Sequence, residues 1–491
     1  MKFIKQLNLN KNKIYLNLNS KFRVNKNGLI FFGNPIYNRI DEITEKNIKK
    51  YIHQVSGFFL CLNLNKNNFF IYNDIGGNFR VYYRKKKNNY FITDNYKKLL
   101  NEHLSLNREQ FEFWNKKNYT IGSKTFFNEI KKIPPASNTI FVNNKIRHNI
   151  YFNSSNLKIK GNLKKILSKC LNKNLKHLKN KKNKNILLFS GGKDSSLIAQ
   201  YLKKKKIQFI PVILNTFPKV LEFENHKLNA MKIAKENNLN LLSIDINLNK
   251  IDEKKIVDNM LFDFHFSILH FEGLKKIKKI FGKNINIICG QSADSIFSYG
   301  ASASTLSHLY LRISFFYNNL FLSLIGKLIL QKKYKQKILF FNIKKEYLFF
   351  LSFYYYLFVE KKLYSKSNKI RQTLDDLKIK LINKKDFLMY LKIFGFLQGS
   401  DNQVVVKSCI INNFNLIMPY MDPQLVYGVI AKKNNFKDIF YPKYPVAELL
   451  NESNFILKKN EITIKNSYKY NFNKIESNLK KKFIKEIFKL L

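Results

Sequence analysis

One short loop holds the residues whose types and spacing are best suited to chemistry. Its sequence is Ser190-Gly191-Gly192-Lys193-Asp194-Ser195-Ser196. The apolar run from Ile186 to Phe189 precedes the loop, and apolar residues at helical spacing follow it, namely Leu197, Ile198, Ala199 and Leu202. The pattern predicts a strand, a glycine turn and a helix, in that order.

This arrangement favours the binding of a phosphate group. Gly191 and Gly192 allow a tight turn that brings successive backbone N–H groups close to a ligand, and the new helix directs the positive end of its dipole to the same place. The serines of the loop add hydroxyl donors, and Lys193 adds positive charge. Asp194 repels phosphate but suits a Mg²⁺ ion carried by phosphate. The seven loop residues are therefore candidates for binding ATP, and Asp194 is also a candidate metal ligand.

The loop differs from the P-loop of many nucleotide-binding proteins. A P-loop needs Gly-Lys followed by Ser or Thr, whereas Lys193 is followed by Asp194. The chain's other Gly-Lys pairs, at Gly282 and Gly326, are followed by asparagine and leucine. The alternative that stays open is a plain strand-to-helix turn with a serine as N-cap.

Further apolar runs predict a parallel sheet around the loop. Phe209–Leu214, Leu241–Ile246 and Ile285–Cys289 are strand-like, and helical segments separate them, one of them from Asn225 to Glu236. Alternating strands and helices are typical of an open parallel sheet, whose ligands bind at the carboxyl ends of the strands. We therefore expect the binding site at that edge.

Several residues fall at the predicted strand ends. Gly191 and Gly290 follow the first and the fourth strand, Leu188 is the next-to-last residue of the first strand, and Leu214 ends the second. Leu188, Leu214 and Gly290 are accordingly further candidates for contact with ATP.

A second carboxylate follows the fourth strand, in the segment Gly290-Gln291-Ser292-Ala293-Asp294. If the first and fourth strands are neighbours, Asp194 and Asp294 converge on one phosphate site and share a Mg²⁺ ion. Asp194 and Asp294 are therefore the predicted metal ligands.

These two segments together resemble the asparagine synthetase family. The SGGxDS loop is that of the ATP pyrophosphatases, which grip the leaving pyrophosphate of ATP. In the asparagine synthetases it is followed by a Gly-Glu-Gly-Ala-Asp-Glu-Leu-Phe segment whose aspartate binds magnesium, and Gly290 to Phe297 is similar to that segment.

The resemblance extends towards both ends of the chain. The segments Gly57–Phe59, Tyr72–Gly76, Val81–Tyr83 and Phe126–Pro135 look like successive parts of the family's glutaminase domain. Asp401, Pro419–Asp422 and Lys443 look like its helical-region aspartate, its Pro-Phe-Leu-Asp turn and the lysine that contacts the α-phosphate. Lys443 and Asp194 are thus the predicted catalytic residues.

The resemblance implies an α/β fold in three parts. Residues 1–152 are expected to form an α+β glutaminase-like sandwich, residues 153–184 a basic helical linker, and residues 185–491 an open parallel-sheet ATP pyrophosphatase domain with a helical carboxyl-terminal region. The sequence agrees with the strand-rich amino-terminal part, where β-prone runs are separated by turn residues: Leu29–Phe32, Phe58–Leu62, Phe69–Tyr72, Tyr90–Thr93 and Thr139–Val142.

Two helices are predicted directly from the spacing of apolar residues. In the linker, the apolar positions at helical spacing are Leu163, Ile166, Leu167, Cys170, Leu171 and Leu175. The stretch from Ser477 to Leu491 is a basic amphipathic helix that we expect to pack on its own domain.

Several positions depart from the family pattern. Glutamine hydrolysis in the family uses an amino-terminal cysteine, whereas Lys2 follows Met1 here, so the amino-terminal domain is expected to be a scaffold, as in the β-lactam synthetases and lasso-peptide cyclases. Gln291 replaces a glutamate that assists deprotonation of the attacking amine, and a neutral amide cannot take that proton. The remaining departures are Ser292, Ser295, Asn415 and Ile417.

The expected function is an ATP-dependent, AMP-forming carbon–nitrogen ligase that works without glutamine hydrolysis. A substrate carboxylate, of a small molecule or a peptide, attacks the α-phosphorus of ATP, and an amine then attacks the acyl-adenylate. Lys443 offsets charge on the α-phosphate. The candidate bases are His265, His270 and His308, each of which has a purely structural alternative.

Two further functions stay open from the sequence. A tRNA-modifying ATP pyrophosphatase would share the loop, although the chain has no Cys-x-x-Cys pair and the amino-terminal match argues against it. A non-catalytic ATP-binding protein is suggested by Gln291 and by the missing cysteine.

Composition limits the class of protein. At 491 residues the chain has room for two or three domains, since a domain commonly holds about 100 to 200 residues, and 45% apolar residues indicate a globular protein. The formal net charge of +55 comes almost entirely from lysine and accompanies many Asn, Ile, Phe and Tyr residues, as in A/T-rich genomes. Nucleic-acid surfaces rely on arginine for bidentate contacts, so no nucleic-acid partner is expected.

Cysteine spacing and hydropathy bear on location. Cys61, Cys170, Cys289 and Cys409 are far apart, and the chain shows no signal-peptide core, so we expect reduced thiols in the cytoplasm. The stretch Phe315–Val359 is aromatic and apolar but too interrupted to span a membrane, and buried helices are expected there, with docking on a bilayer or partner as the alternative. A homodimer is a candidate assembly.

Overall fold

The protein has a mixed α/β fold with several sheets, as the sequence predicts. The structure, a computed structural model, describes residues 3–9, 12–18, 20–64, 69–100, 104–117, 120, 122–142, 145–152, 161–179, 182–259, 268–297, 393, 397, 402–432, 443–452 and 472–489. Two mainly antiparallel sheets are built from its amino-terminal part, and a parallel sheet with helices from the rest.

The amino-terminal strands are β1 (Phe3–Leu9), β2 (Asn12–Leu18), β3 (Phe22–Val24), β4 (Ile30–Gly33), β5 (Phe59–Asn63), β6 (Phe69–Asn73), β7 (Tyr82–Lys86), β8 (Asn89–Thr93), β9 (Ile130–Lys132), β10 (Ser137–Val142) and β11 (Lys145–Ile150). One sheet has the order β1-β2-β8-β7-β9 and the other β11-β10-β6-β5-β4-β3. The five β-prone runs of the sequence lie on β4, β5, β6, β8 and β10, which confirms them as strands.

Alternating side chains of the second sheet enter two different cores. On β5, Leu60 and Leu62 join a large apolar cluster that also holds residues of the first sheet and of the parallel sheet. Phe59 and Cys61, which point to the other face, pack with Ile48 in a separate cluster beside helix α1 (Ile48–Tyr51). A strand buried on both faces explains why β5 has no polar side.

Helix α3 (Leu163–Lys176) joins the two parts and is firmly packed. Its buried apolar side chains are the six predicted from the sequence. Asn162 caps the helix by accepting a hydrogen bond from the backbone N–H of Lys165 at 2.9 Å. One face of α3 is buried against helices that come later in the chain, so α3 is part of the packed core.

The parallel sheet contains β12 (Lys184–Leu188), β13 (Ile210–Phe217), β14 (Leu242–Asn247), β15 (Ile285–Ile288) and β16 (Asn415–Ile417), in the order β14-β13-β12-β15-β16. Every neighbouring pair is parallel, and Leu187 lies opposite Ile288. The first four strands were predicted, and β12 and β15 are neighbours, as the metal-site hypothesis requires. Strand order reverses between them, and ligands of open α/β sheets bind at such a reversal.

Helices connect these strands: α4 (Lys193–Lys204), α5 (Leu221–Glu236), α6 (Glu253–Asn259), α7 (Ile268–Phe281) and α8 (Ala293–Phe297). Beyond them lie α9 (Asn402–Asn412), α10 (Pro423–Lys432), α11 (Tyr444–Asn451) and α12 (Phe472–Phe488), and α2 (Arg108–Lys117) belongs to the amino-terminal part. The prediction of a purely helical region after residue 300 misses β16, a short strand that completes the sheet edge.

Helix α12 confirms the predicted helix but packs more widely than expected. Its Phe483 lies 5.6 Å from Trp114 of α2, between ring centroids, and Lys480 donates to the backbone carbonyl of Asn115. It therefore contacts the amino-terminal part, and not only its own domain.

No helix within the described ranges is long and apolar enough to cross a membrane. The aromatic stretch Phe315–Val359 lies outside the described residues.

Candidate active site

The turn after β12 depends on Gly191. Its φ is +72°, in the left-handed region that favours glycine, and a Cβ there would lie 2.9 Å from the Cα of Ala230 on α5. A side chain would therefore push α5 away from the turn. Gly191 is required by packing as well as by the turn, and this need was not visible in the sequence.

The loop serines bond to the loop itself. The Ser190 hydroxyl accepts a hydrogen bond from the Gly192 N–H at 3.3 Å, and the Ser195 hydroxyl donates to the Gly192 carbonyl at 3.1 Å. The N-cap of α4 is Gly192, and no side chain caps the helix. The plain turn with a serine N-cap is therefore not what the chain forms, and the first N–H groups of α4 have no side-chain cap.

The structure brings the two predicted carboxylates to one point. Asp194 lies in the first turn of α4 and Asp294 in the first turn of α8, the helices that follow β12 and β15. Lys443, just before α11, sits between them: its Nζ is 2.6 Å from Asp194 Oδ2 and 2.7 Å from Asp294 Oδ1. Three residues from distant parts of the sequence thus form one charged cluster.

The cluster is only partly open to water. The side chains of Asp194 and Lys443 are 19% and 23% exposed, whereas that of Asp294 is 48% exposed. Burial raises the pKa of Asp194 despite the neighbouring ammonium. Burial also disfavours the charge on Lys443, but the two carboxylates outweigh it and raise the pKa of Lys443. The ammonium is therefore held in its charged form.

One oxygen of Asp194 makes no hydrogen bond. Asp194 Oδ1 is buried and has no hydrogen-bond partner among the described residues. A buried carboxylate oxygen without a partner is costly, and such groups are often satisfied by a ligand or an ion. The oxygen suits Mg²⁺, a hard cation with oxygen ligands.

The donor set fits a metal that arrives with a nucleotide. The described residues contain no group of three His, Cys, Asp or Glu side chains that could hold a metal by themselves. Mg²⁺ in phosphate-transfer sites commonly uses one or two carboxylates plus the oxygens of the substrate phosphates. Asp194 and Asp294 supply two carboxylates of this kind.

A tyrosine missed as a site residue fixes Asp194 from behind. The Tyr420 hydroxyl donates to the backbone carbonyl of Asp194 at 3.1 Å, and the Tyr420 ring is fully buried against Phe297. Tyr420 belongs to the Pro419–Asp422 turn. The hydrogen bond depends on the hydroxyl of this tyrosine.

The turn that carries Tyr420 is anchored to α3 and to the amino-terminal part. Asp422, which is fully buried, accepts from Lys173 at 2.5 Å and from the Asn174 side chain at 3.1 Å. Asn174 also donates to the Pro419 carbonyl and accepts from the Ser56 hydroxyl at 2.6 Å. The amino-terminal part thus helps to hold the turn behind the charged cluster.

A cleft of about 290 Å³ opens beside the cluster. Of the predicted residues, the cleft is lined by Leu188, Ser190, Asp194, Ser195, Leu214, Gly290 and Asp294. Gly290 lets β15 approach α4, since a Cβ there would lie 3.1 Å from the Asp194 Cβ. Six of the ten residues predicted to contact ATP therefore line this cleft.

Other cleft residues were not predicted as ligand contacts. Phe223 and His226 come from α5, and Leu269 and His270 come from α7. Of these four, the sequence indicates only His270, as a candidate base. The i, i+3 spacing of Phe223 and His226 is a weak signal that they share one face of α5. Gln291 also lines the cleft.

Some predicted residues lie elsewhere. Ser196 is fully buried and off the cleft wall, and its hydroxyl has no partner among the described residues. Gly191, Gly192 and Lys193 belong to the loop but do not line the cleft. Asn415 and Ile417 lie on β16. Lys2, His265, His308 and Asp401 are outside the described residues.

Comparison with known proteins does not assign this site. No model of a protein family matches the chain, and a search of curated proteins finds no match. Function is therefore inferred from the residues and their geometry.

Proposed function

We propose that the chain is an asparagine synthetase-like, AMP-forming carbon–nitrogen ligase. The observation that carries the proposal is the meeting of Asp194 and Asp294, from neighbouring strand ends, around one cation beside the SGGKDS loop. ATP and a carboxylate give an acyl-adenylate and pyrophosphate. An amine then displaces AMP to form an amide.

The arrangement of the three sheets also supports this proposal. A five-stranded parallel sheet with the phosphate loop at its strand-order reversal suits an ATP pyrophosphatase domain, and the two amino-terminal sheets suit a glutaminase-like sandwich. Ser292 stands where the family has glycine and keeps a φ of +76°, the conformation that glycine prefers. A glycine, as in the family pattern, would fit this backbone conformation, which supports the comparison of the two segments.

Each residue has a definite role in the proposed reaction. The loop and the start of α4 bind the β- and γ-phosphates through N–H and hydroxyl groups. Mg²⁺ held by Asp194 and Asp294 would neutralise charge on the departing pyrophosphate. Lys443 offsets charge that develops on the α-phosphate. Leu188 and Leu214 give the cleft an apolar wall for the adenine.

A base is needed to deprotonate the amine, and the cleft offers two imidazoles. Gln291 cannot accept the proton, whereas an imidazole can. His226 on α5 and His270 on α7 both line the cleft. We assign the role to this pair of positions, and single histidine-to-glutamine variants will distinguish them.

Ammonia or another free amine is the proposed nitrogen donor. All four cysteines are buried, and burial raises the pKa of each, to about 12 for Cys289. A buried thiol of high pKa is a poor nucleophile for glutamine. This supports a ligase that works without glutamine hydrolysis.

Gln291 favours one second candidate, a protein that binds ATP without catalysis. ATP–pyrophosphate exchange measured over a panel of amino acids, peptides and sugar acids separates the two. We expect exchange with one class of carboxylate, and a loss of about 10²- to 10³-fold in Asp194→Asn. The matched control is Asp41→Asn, an exposed aspartate paired with Arg23, which should leave exchange unchanged. ATP binding without exchange for any carboxylate would support the second candidate.

A further inference from the structure

The ammonium of Lys443 occupies the position where a metal shared by the two carboxylates would bind. It lies 2.6 Å and 2.7 Å from one oxygen of each aspartate. Mg²⁺ binds oxygen ligands at about 2.0 to 2.1 Å, so a small inward shift of the same oxygens suits the metal. One site therefore serves two different cations.

The two cations cannot bind there together. An ammonium and a divalent ion in adjacent positions repel each other, and the partial burial of Asp194 and Lys443 reduces the screening of this repulsion by water. A metal that bridges the two aspartates at this position would also take the oxygens that the ammonium contacts, Asp194 Oδ2 and Asp294 Oδ1. Entry of the metal thus requires Lys443 to leave.

A departing lysine needs a new anion. Lys443 directly precedes α11, and its long side chain can swing while its backbone stays in place. In the free protein a displaced ammonium would lose two carboxylates at once. A nucleotide bound in the cleft supplies phosphate oxygens as replacement partners.

We propose that Lys443 is a resident counter-cation, which keeps divalent metal out of the Asp194–Asp294 site until the phosphates of a nucleotide draw its ammonium away. The idea rests on the proposed function for the identity of the ligand. Metal and nucleotide then enter as one complex, and free metal binds weakly. The same lysine moves from the carboxylates to the α-phosphate, where the reaction needs it.

Asp194 Oδ1 strengthens the case. This buried oxygen has no partner among the described residues, so the ammonium satisfies only half of the carboxylate. A divalent ion can engage both oxygens of a carboxylate or hold a water that reaches the second. The site is thus better completed by a metal than by the lysine.

The test is Mn²⁺ binding to the full-length protein without nucleotide, followed by electron paramagnetic resonance. The variant Lys443→Met removes the charge and keeps the length of the side chain, whereas Lys443→Arg keeps the charge. Lys489→Met, at an exposed lysine of α12, is the matched control. We expect Lys443→Met to bind Mn²⁺ at least tenfold more tightly than the wild type, and the other two variants to bind as the wild type does.

Thermal unfolding gives a second readout. Mg²⁺ alone should raise the melting temperature of Lys443→Met and leave that of the wild type unchanged, because only the variant lacks the ammonium between the two carboxylates. If Lys443→Met does not fold, the wild type still decides: tight binding of Mn²⁺ without nucleotide would overturn the proposal. Equal Mn²⁺ affinity in the wild type and Lys443→Met would overturn it as well.

The outcomes separate this idea from the proposed function. Exchange activity together with equal metal affinities rejects the counter-cation alone. Metal exclusion by Lys443 without exchange for any carboxylate rejects the ligase and retains the counter-cation.

Discussion

Two aspartates of this protein, Asp74 and Asp194, lie shortly after the ends of strands, and the surroundings of their carboxylates differ. Asp74, which follows β6, is fully buried and accepts hydrogen bonds from four backbone N–H groups and one side-chain amide. The donors are Phe59 N, Gly76 N, Asn78 N, Phe79 N and Asn78 Nδ2, at 2.9 to 3.3 Å. Asp194 has one oxygen on Lys443 and the other without a partner among the described residues.

The difference separates a structural carboxylate from one that is prepared for a ligand. A buried charge is tolerated when hydrogen bonds replace the lost water. The neighbours of Asp74 are fixed backbone groups, so Asp74 has no acceptor left to offer. Asp194 instead relies on a long lysine side chain, which can be exchanged for another cation.

The loops next to Asp74 and Asp294 fill a left-handed backbone position with different residues. The loop after Asp74 uses a glycine, Gly77, at φ +57°, where a Cβ would press against Pro135 at 2.9 Å. The loop before Asp294 uses a serine, Ser292, at φ +76°, with its buried hydroxyl unpaired among the described residues. Strain and unsatisfied polar groups are often found at functional sites, and Ser292 combines the two beside the cleft.

The largest expected effect comes from Asp74. Asp74→Asn should lower the free energy of unfolding by about 3 kcal/mol. The backbone N–H groups around residue 74 would lose a charged acceptor, and some of them would face the NH₂ group of the asparagine, which is itself a donor. Asp194→Asn should change it by no more than about 1 kcal/mol, since Lys443 keeps Asp294 and a poorly satisfied charge is removed. Urea unfolding of the two variants measures both values.

The two substitutions should affect pyrophosphate exchange in the opposite order from stability. At a temperature where it remains folded, Asp74→Asn should retain pyrophosphate exchange, whereas Asp194→Asn should lose it. Equal destabilisation by the two substitutions would remove the distinction between a structural and a ligand-binding carboxylate.

A smaller effect is expected at Tyr420, which links the two regions. Tyr420→Phe keeps the buried ring and removes one hydrogen bond to the backbone of Asp194. Mg²⁺–ATP should therefore bind about three- to tenfold more weakly, which corresponds to a hydrogen bond worth about 1 kcal/mol. Calorimetric titration with a non-hydrolysable ATP analogue measures this. Tyr201→Phe is the matched control, since the Tyr201 hydroxyl bonds to Ser168 on α3.

The two tyrosine variants also distinguish positioning from general packing. Both should lose similar stability, but only Tyr420→Phe should lose affinity for the nucleotide. A loss of affinity in Tyr201→Phe of the same size would show that any hydrogen bond of this region matters equally.

Local patterns in the sequence predict much of the fold. The apolar runs that become β12, β13, β14 and β15 carry their own signal in strand length and flanking glycines. β16 has only three residues, and it forms because β15 offers a free edge nearly 130 residues earlier in the chain. Such a strand is determined by tertiary pairing, which no local pattern contains.

The candidate site divides in the same way. The phosphate loop and Asp294 follow from their position at strand ends, whereas Lys443 was found only through the family resemblance. Tyr420 and Phe223 acquire their roles when the loop after β16 and helix α5 fold against the sheet. Contacts of this range depend on packing geometry and are not encoded in residue spacing.

The smallest expected effect tests the strain at Ser292. Ser292→Gly should raise the free energy of unfolding by about 0.5 to 1 kcal/mol, because glycine accepts the left-handed backbone and the unpaired buried hydroxyl is removed. The greater freedom of glycine in the unfolded chain offsets part of this gain. Ser295→Gly, at a helical position of α8, should instead destabilise by about 1 kcal/mol. Urea unfolding distinguishes the two signs. If Ser292→Gly also lowers nucleotide affinity, the strained serine contributes to nucleotide binding, and the cleft differs from the Asp74 loop in function as well as in strain. If Ser292→Gly lowers the free energy of unfolding, strain at Ser292 does not distinguish the two loops.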